Sequence, residues 1–280
     1  LQPDAAIGYS LGESTALMAL EAWGDLDDML DALLASPLFA SELCGDFTAV
    51  RKAWAARGEV EAATAEGEVW QNWTIVGDVE RTAQIVASEP SCHITIVNTD
   101  DECSIGGSEA ACGRVLERLL DDPKTHAAPM PYSVAIHAPE VAEAAASYRA
   151  LHHRPTHAVG PIRFYSNATG RPYELSDDAT ADALLAQATG TVDFRRTILN
   201  AWDDGVRIFV EHGPRGLCTG WIRRVLGPDR AYCAVSLDRP AHDDVSHVID
   251  VCAQLIAAGV AVDWRALVDR LAARSAPSRV

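Results

Sequence analysis

Gly8 and Gly12 flank Ser10 at Gly-x-Ser-x-Gly spacing, in the run Ala6-Ile7-Gly8-Tyr9-Ser10-Leu11-Gly12-Glu13-Ser14. Small residues on both sides let a chain turn sharply from strand to helix, which lifts the serine hydroxyl at the strand's carboxyl end. That turn is the nucleophile elbow, and the N–H of the residue after the serine, Leu11, then becomes an oxyanion donor. The segment Leu11 to Leu20 is apolar at helical spacing, as a strand–turn–helix requires. The chemistry expected of this arrangement is nucleophilic attack by Ser10 on an acyl carbon.

A serine hydroxyl needs a base, and folding rather than sequence neighbourhood brings it there. Two histidines qualify. His137 lies in Pro131-Tyr-Ser-Val-Ala-Ile-His137-Ala-Pro-Glu140, an apolar segment before a predicted helix, and His212 follows a strand in Phe209-Val-Glu-His212-Gly-Pro. Residue type and spacing leave the two even. The other histidines form no H-E-x-x-H, and none pairs with cysteine at zinc spacing, so no metal is expected.

The elements that must position these groups follow from periodicity. Helices are predicted at 27–35 and 49–56. A β-α-β-β-α-β run follows: strand 69–76, helix 79–87, strands 93–98 and 103–106, helix 109–120 and a last strand at 127–130. Longer alternating elements then return: helix 139–151, strand 162–166, helices 179–187 and 194–203, strand 206–211, helix 216–225, strand 232–236 and helix 244–258. The expected fold is an α/β-hydrolase-like core with a parallel sheet, interrupted by an inserted ferredoxin-like small subdomain. The expected boundaries are 1–66 for the first part of the core, 67–131 for the insertion, 132–265 for the second part, and 266–280 for a polar, Pro-broken linker or tail.

Composition narrows the classes. The chain of 280 residues is 48% hydrophobic, enough for a sizeable core, and its net charge of −17 argues against nucleic acid and anionic membrane surfaces. No apolar run reaches the length of a membrane span. The seven cysteines are odd in number, with no C-x-x-C, which fits reduced thiols and a cytoplasmic location.

Gly8-Tyr-Ser-Leu-Gly-Glu13, the β-α-β-β-α-β insertion, Ile136-His-Ala-Pro139 and Glu211-His-Gly-Pro214 resemble, in this order, the malonyl-CoA:acyl carrier protein acyltransferases, the acyltransferase domains of fatty acid and polyketide synthases. The resemblance runs to about residue 265. Within that family the chain is most similar to the domains of polyunsaturated fatty acid synthases and related iterative synthases, through Tyr9 in place of the commoner His, Ala22-Trp23, Ser36-Pro-Leu-Phe39, Val97-Asn-Thr99 and Phe164-Tyr-Ser166.

The resemblance implies that Ser10 accepts the acyl group and that His137 is its base. It also implies that a backbone carbonyl near Asp193, rather than a carboxylate, holds the imidazole. Asn98 then lines the active site, Ile136 sits where substrate size is read, and Asp193 belongs to the substrate pocket, while His212 becomes structural or site-flanking. No bound cofactor is implied. The substrates are acyl-CoA, with malonyl-CoA expected, and a phosphopantetheinylated acyl carrier protein; neighbouring synthase domains are the other partners. The alternatives are a thioesterase or hydrolase using the same Ser and His, and a degenerate, non-catalytic synthase module.

Two departures accompany the resemblance. Malonyl-specific members carry an Arg in a helix some way past the serine that pairs with the substrate carboxylate, whereas here no Lys or Arg occurs between Ser10 and Arg51. Arg51 is the candidate replacement. Family members also carry an upstream Gly-Gln-Gly loop that supplies a second oxyanion donor, and this chain begins at Leu1, which is read as a piece of a larger synthase. Because carrier proteins are acidic, docking requires local basic patches, expected at Arg195-Arg196 and at Arg215 with Arg223-Arg224.

Overall fold

The computed structural model describes residues 2–64, 67, 69–239, 244–263, 265, 266, 268 and 269. Two predicted boundaries touch residues outside that set: the junction at 66–67 falls partly there, and of the tail at 266–280 all but three residues do. The chain divides into two compact units, Asp4–Asp204 and Gly205 onward with the first three residues.

The first unit opens with β1 (Ala5–Ile7), α1 (Gly12–Ala19), α2 (Leu26–Ala35), α3 (Thr48–Ala56) and α4 (Val60–Thr64). Next come β2 (Gln71–Val76), α5 (Val79–Val86), β3 (Cys92–Thr99), β4 (Glu102–Gly107), α6 (Glu109–Leu120) and β5 (His126–Pro129). A 3-10 turn at Pro139–Ala144 leads into α7 (Ala145–His152), β6 (Arg163–Tyr165), β7 (Pro172–Tyr173), α8 (Asp177–Thr189), β8 (Val192–Asp193) and α9 (Phe194–Asp203). The second unit holds β9 (Ile208–Glu211), α10 (Leu217–Leu226), β10 (Cys233–Ser236) and α11 (Asp244–Ala257).

Helix starts obey local chemistry. Asp25, Asp78, Ser108, Ser176 and Asp193 each sit at an N-cap and accept a hydrogen bond from the main-chain N–H three residues on. Each cap satisfies one of the amides that a helix leaves without an internal partner.

Among the described residues the strands pair in three hydrogen-bonded sets within a mixed α/β fold. β1 pairs in parallel with β6, and β6 pairs antiparallel with β7. In the second unit β9 and β10 pair in parallel. The third sheet has the order β5-β2-β4-β3-β8, antiparallel through β3 and joined by β8 in parallel. Short connections such as the 100–101 turn between β3 and β4 dictate antiparallel neighbours here, and a return through a distant helix gives the parallel pairs.

Around α1 and α7 a core packs Leu17, Trp23, Leu38, Leu43, Tyr148, Phe164 and Leu184. The β-α-β-β-α-β run has its own core of Ile75, Ile85, Val97, Ile105, Val115 and Leu119. A further cluster of Phe47, Val50, Trp54, Trp70, Ala135 and Ala138 packs beside the segment before the 3-10 turn, and each cluster stabilises the scaffold by about 25 cal/mol per Å² of apolar surface removed from water.

Candidate functional site

At the end of β1 the backbone turns through Ser10, whose φ of 54° lies in the left-handed region that only a few non-glycine residues adopt. Gly8 makes the turn possible: a Cβ there would lie 2.1 Å from Glu13 N and from Gly12 C. At Gly12 a Cβ would meet nothing within 4 Å, so only the first of the two flanking glycines is sterically required. Gly12 N and Glu13 N close on Tyr9 O and Ser10 O at 2.9 and 3.1 Å, which locks the first turn of α1. Leu11, at the N-cap position, is 76% exposed.

Ser10 Oγ lies 2.7 Å from His137 Nε2. His137 Nδ1 lies 2.7 Å from the main-chain oxygen of Gln187. A carbonyl only accepts, so Nδ1 carries the proton and Nε2 is left to accept from the serine hydroxyl. His137 is 2% exposed, and burial holds its pKa down at about 4 despite the opposing bond to Gln187. At neutral pH the imidazole is therefore uncharged, as a proton acceptor must be.

The carbonyl on Nδ1 was expected near Asp193; it belongs to Gln187, in the last turn of α8. The last carbonyls of a helix have no amide ahead of them to bond. Gln187 O and Ala188 O use that freedom, accepting from His137 Nδ1 and from the main-chain N–H of Ala138 (3.2 Å). Gln187 is itself buried, and its Nε2 donates to Ser10 O at 3.4 Å. Sequence reading missed Gln187 because a main-chain acceptor carries no residue signature; the one available clue was the end of a predicted helix.

The segment bearing His137 is tied down three residues later. Glu140, fully buried, accepts at Oε1 from Trp54 Nε1 (3.0 Å), Arg57 Nη2 (2.5 Å) and His93 Nε2 (2.9 Å). Burial would raise the Glu140 pKa, but the bonds and charges from His93 and Arg57 outweigh it and hold the carboxyl below its ordinary value. Trp70 stacks between Trp54 and His93, with ring centroids 6.0 and 6.5 Å away.

The other predicted site residues separate as follows. Asn98 is buried beside the elbow, where its Oδ1 accepts from Tyr9 OH at 2.9 Å and its Nδ2 donates to Glu102 Oε1 at 3.3 Å. Tyr9 in turn meets the ring of Phe194 edge-on. Ile136 is half-buried against the α1–α7 core. Asp193 caps α9 through Arg196 N and pairs with Arg195. Arg51 donates to Asp46 O (3.0 Å) and Ala63 O (2.9 Å).

Among the basic residues, Arg195 is ion-paired with Asp100, and exposed Arg196 donates to Ala168 O at 3.1 Å. In the second unit Arg215, Arg223 and Arg224 are exposed; Arg223 Nη2 donates to Ala234 O, and Arg215 N donates to Asp238 Oδ2. His212 is exposed after β9. Among the described residues no cluster of three or more His, Cys, Asp or Glu is arranged to hold a metal ion, and no helix is long and apolar enough to cross a membrane.

No protein-family model matches the chain. It is similar to one of the polypeptides of the polyunsaturated fatty acid synthase of Thraustochytrium sp., 26% identical over 267 residues, which are 91% of this chain and 13% of that protein. It is also similar to a type I polyketide synthase for phenolphthiocerol synthesis from Mycobacterium marinum, 26% identical over 95% of this chain and 11% of that one. The chain thus spans about an eighth of the length of these relatives. Among solved structures, the acyltransferase domain from the second module of the salinomycin polyketide synthase superposes with a TM-score of 0.68 at 22% identity, over 100% of this chain and 58% of that one. The malonyl-CoA:acyl carrier protein transacylase of Xanthomonas oryzae pv. oryzae gives 0.67 at 23% identity, over 89% and 72%. The chain has the fold of these acyltransferases.

Proposed function

We propose that this acyltransferase-like domain moves an acyl group from CoA, through an ester on Ser10, to the phosphopantetheine thiol of an acyl carrier protein in fatty acid or polyketide synthesis. The observation that carries the proposal is the chain of contacts Ser10 Oγ–His137 Nε2 and His137 Nδ1–Gln187 O, both 2.7 Å. Neutral His137 takes the hydroxyl proton as Oγ attacks the thioester carbon. The Leu11 N–H donates to the oxyanion that forms, and collapse expels the CoA thiol, which leaves with the proton held on His137. The carrier thiol then gives its proton to His137, attacks the ester, and departs acylated while Ser10 regains its hydrogen. No bound cofactor takes part.

The α/β-hydrolase-like core is assigned to 1–66 and 132–265, the ferredoxin-like insertion to 67–131 and the tail to 266–280. The strand order β5-β2-β4-β3 over the β-α-β-β-α-β run supports the insertion. Asn98, Ile136 and Asp193 are the assigned pocket residues, and the location is cytoplasmic. The deciding experiment is intact-mass measurement after incubation with malonyl-CoA and acetyl-CoA, then with carrier protein. A stable acyl adduct that the carrier removes is expected; an adduct lost to water at the same rate with or without carrier would make the domain a hydrolase.

Malonyl is the expected acyl group, and how its carboxylate is held decides the selectivity. Helix α2 carries no cation, and a buried carboxylate without a partner costs several kcal/mol. Arg51 would have to release the Asp46 or Ala63 carbonyl to serve. A malonyl-over-acetyl preference below about tenfold in acylation rate is expected, since without a cation for the carboxylate the pocket has less than about 1.4 kcal/mol with which to favour malonyl. A larger preference that Arg51→Ala abolishes would assign the carboxylate to Arg51.

Carrier docking is assigned to the cationic residues Arg195, Arg196, Arg215, Arg223 and Arg224. The exposed pair Arg223-Arg224 on α10 provides the test. Reversing both to Glu should raise the carrier KM several-fold at low salt and leave self-acylation from acyl-CoA unchanged, because charge steering fades beyond about 8 Å at physiological ionic strength. Unaltered carrier kinetics at low salt would remove this pair from the docking surface.

A further inference from the structure

The first turn of α1 carries a carboxyl group that is shut away from water. Glu13, three residues after Ser10, is 4% exposed, and its Oε2 accepts from Asn167 N at 2.9 Å and from Asn167 Nδ2 at 2.7 Å. Its second oxygen, Oε1, is buried without a hydrogen-bond partner. Asn167 is 0% exposed and lies in the tight turn that follows β6, closed by Gly170 N on Ser166 O at 2.8 Å. Helix α9 braces that turn from its own side: Arg196 Nη2 donates to Ala168 O and Asn200 Nδ2 to Gly170 O. The strand before the turn, β6, is the parallel partner of β1, which delivers the chain to Ser10.

Two separate attachments therefore reach the elbow from one piece of structure, the β1–β6 ladder on its amino side and the Glu13–Asn167 clamp on its carboxyl side. Between them stands the left-handed backbone of Ser10, a conformation that costs about 1–3 kcal/mol and persists only where its surroundings hold it. We propose that Glu13 is a positioning residue for Ser10, its carboxyl clamped on Asn167 so that the first turn of α1 fixes the direction of the nucleophile. The proposal rests on the assignment of Ser10 as the acyl-accepting group.

The clamp depends on charge. The titratable side chains facing the carboxyl are Tyr148 of α7 and Tyr173 of β7, and no cationic side chain pairs with it among the described residues. Burial, opposed by the two bonds from Asn167, pushes the Glu13 pKa up to about 7. Below that pH the group is a neutral acid in apolar surroundings. Above it the anion lacks a counter-charge, and relaxation toward water pulls on the turn that holds Ser10.

The test follows the rate of Ser10 labelling between pH 5.5 and 8.5 in the whole chain, with acetyl-CoA and with a fluorophosphonate as probes, for wild type, Glu13→Gln and Glu13→Ala. Glu13→Gln keeps an oxygen acceptor for Asn167 and cannot ionise. The wild-type rate should fall as pH rises through about 7, the Glu13→Gln rate should stay level and within about threefold of the wild-type rate at pH 6, and Glu13→Ala should label at least tenfold more slowly at every pH with an unchanged half-saturating acetyl-CoA concentration. If Glu13→Ala does not fold, Asn167→Ala takes its place: it removes the Nδ2 donor and leaves the main-chain one, and it should label at least about threefold more slowly than wild type at pH 6, wild-type labelling overturning the proposal. A Glu13→Gln profile that falls like the wild type's, or Glu13→Ala labelling as fast as wild type per folded molecule, overturns the proposal. Failure of the underlying assignment looks different: a wild type that takes up neither probe, or a Ser10→Ala variant that still takes up label, removes the nucleophile and the positioning role together.

Discussion

Ser10→Ala is expected to abolish acyl-enzyme formation, and His137→Ala to slow it by at least about three orders of magnitude, because nucleophile and base act as one unit. Both variants should keep the wild-type circular dichroism spectrum. His212→Ala should stay within a few-fold of wild type, since the hydroxyl of Ser10 already has its acceptor 2.7 Å away in His137. Stopped-flow acylation from acyl-CoA, read with intact mass, ranks the three; a larger loss for His212→Ala than for His137→Ala would move the base. Acidity adds an independent signature. With its pKa held at about 4 against an ordinary 6.5, His137 stays a proton acceptor down to mildly acidic pH, and on the acid side acylation is expected to fall away as pH drops through about 4. The unfolded chain binds that proton first, so the same shift also removes stability between pH 6.5 and 4, by about 1.4 kcal/mol for each pH unit. Because Glu13, raised to about 7, contributes an opposite slope to both proteins, the signature is the difference: the stability of wild type relative to His137→Ala should fall as pH drops from 7 to 4.5, which urea titrations of both at the two pH values would measure.

Gly8→Ala should be among the most damaging single substitutions in the chain. Its Cβ would need to occupy space 2.1 Å from Glu13 N and 2.3 Å from Gly12 O, where the neighbour is backbone that cannot swing aside. Either the strand end or the first turn of α1 must shift, at a cost expected to exceed about 3 kcal/mol, with loss of Ser10 labelling even in molecules that remain folded. Gly12→Ala, at a position where a Cβ meets nothing within 4 Å, should change stability by less than about 1 kcal/mol. Thermal melts of the two variants, alongside fluorophosphonate labelling, separate them. Equal damage from both would mean that the elbow needs glycine at both flanks.

Much of the site's local chemistry was legible in the sequence, because an elbow is written in adjacent residues. The run from Ala6 to Ser14 encodes a strand, a turn and a helix start, and β1, Ser10 and α1 appear where the apolar and glycine pattern puts them. Partnerships across the chain were not legible. His137 and His212 each follow an apolar stretch, so residue type and spacing leave them even; the resemblance pointed to His137, and the 2.7 Å contact links it to Ser10. Gln187 O was invisible because every residue has a carbonyl; what distinguishes this one is its place in the last turn of α8. Glu13 read only as part of a motif, since nothing local announces that a carboxyl in a first helical turn will be buried against a turn more than 150 residues away. The order of the strands was not legible for a related reason. Alternating strands and helices predict parallel neighbours, but they do not say which strands meet, and here they meet as β1-β6-β7 and β9-β10.

The bonds through His137 span the chain very unevenly. Ser10 and His137 are 127 positions apart, His137 and Gln187 another 50, and the whole β2–β5 run lies inside the first of these loops. Contacts of such separation require large loops to close, so they form late, after local helices and hairpins already exist. A partly folded chain can therefore own α1, α8 and a complete β2–β5 sheet while having no reactive serine at all. On the proposed mechanism, reactivity toward an acyl donor would report closure of the Asp4–Asp204 unit, and a nascent chain would stay silent toward thioesters until the residues up to Gln187 have joined it.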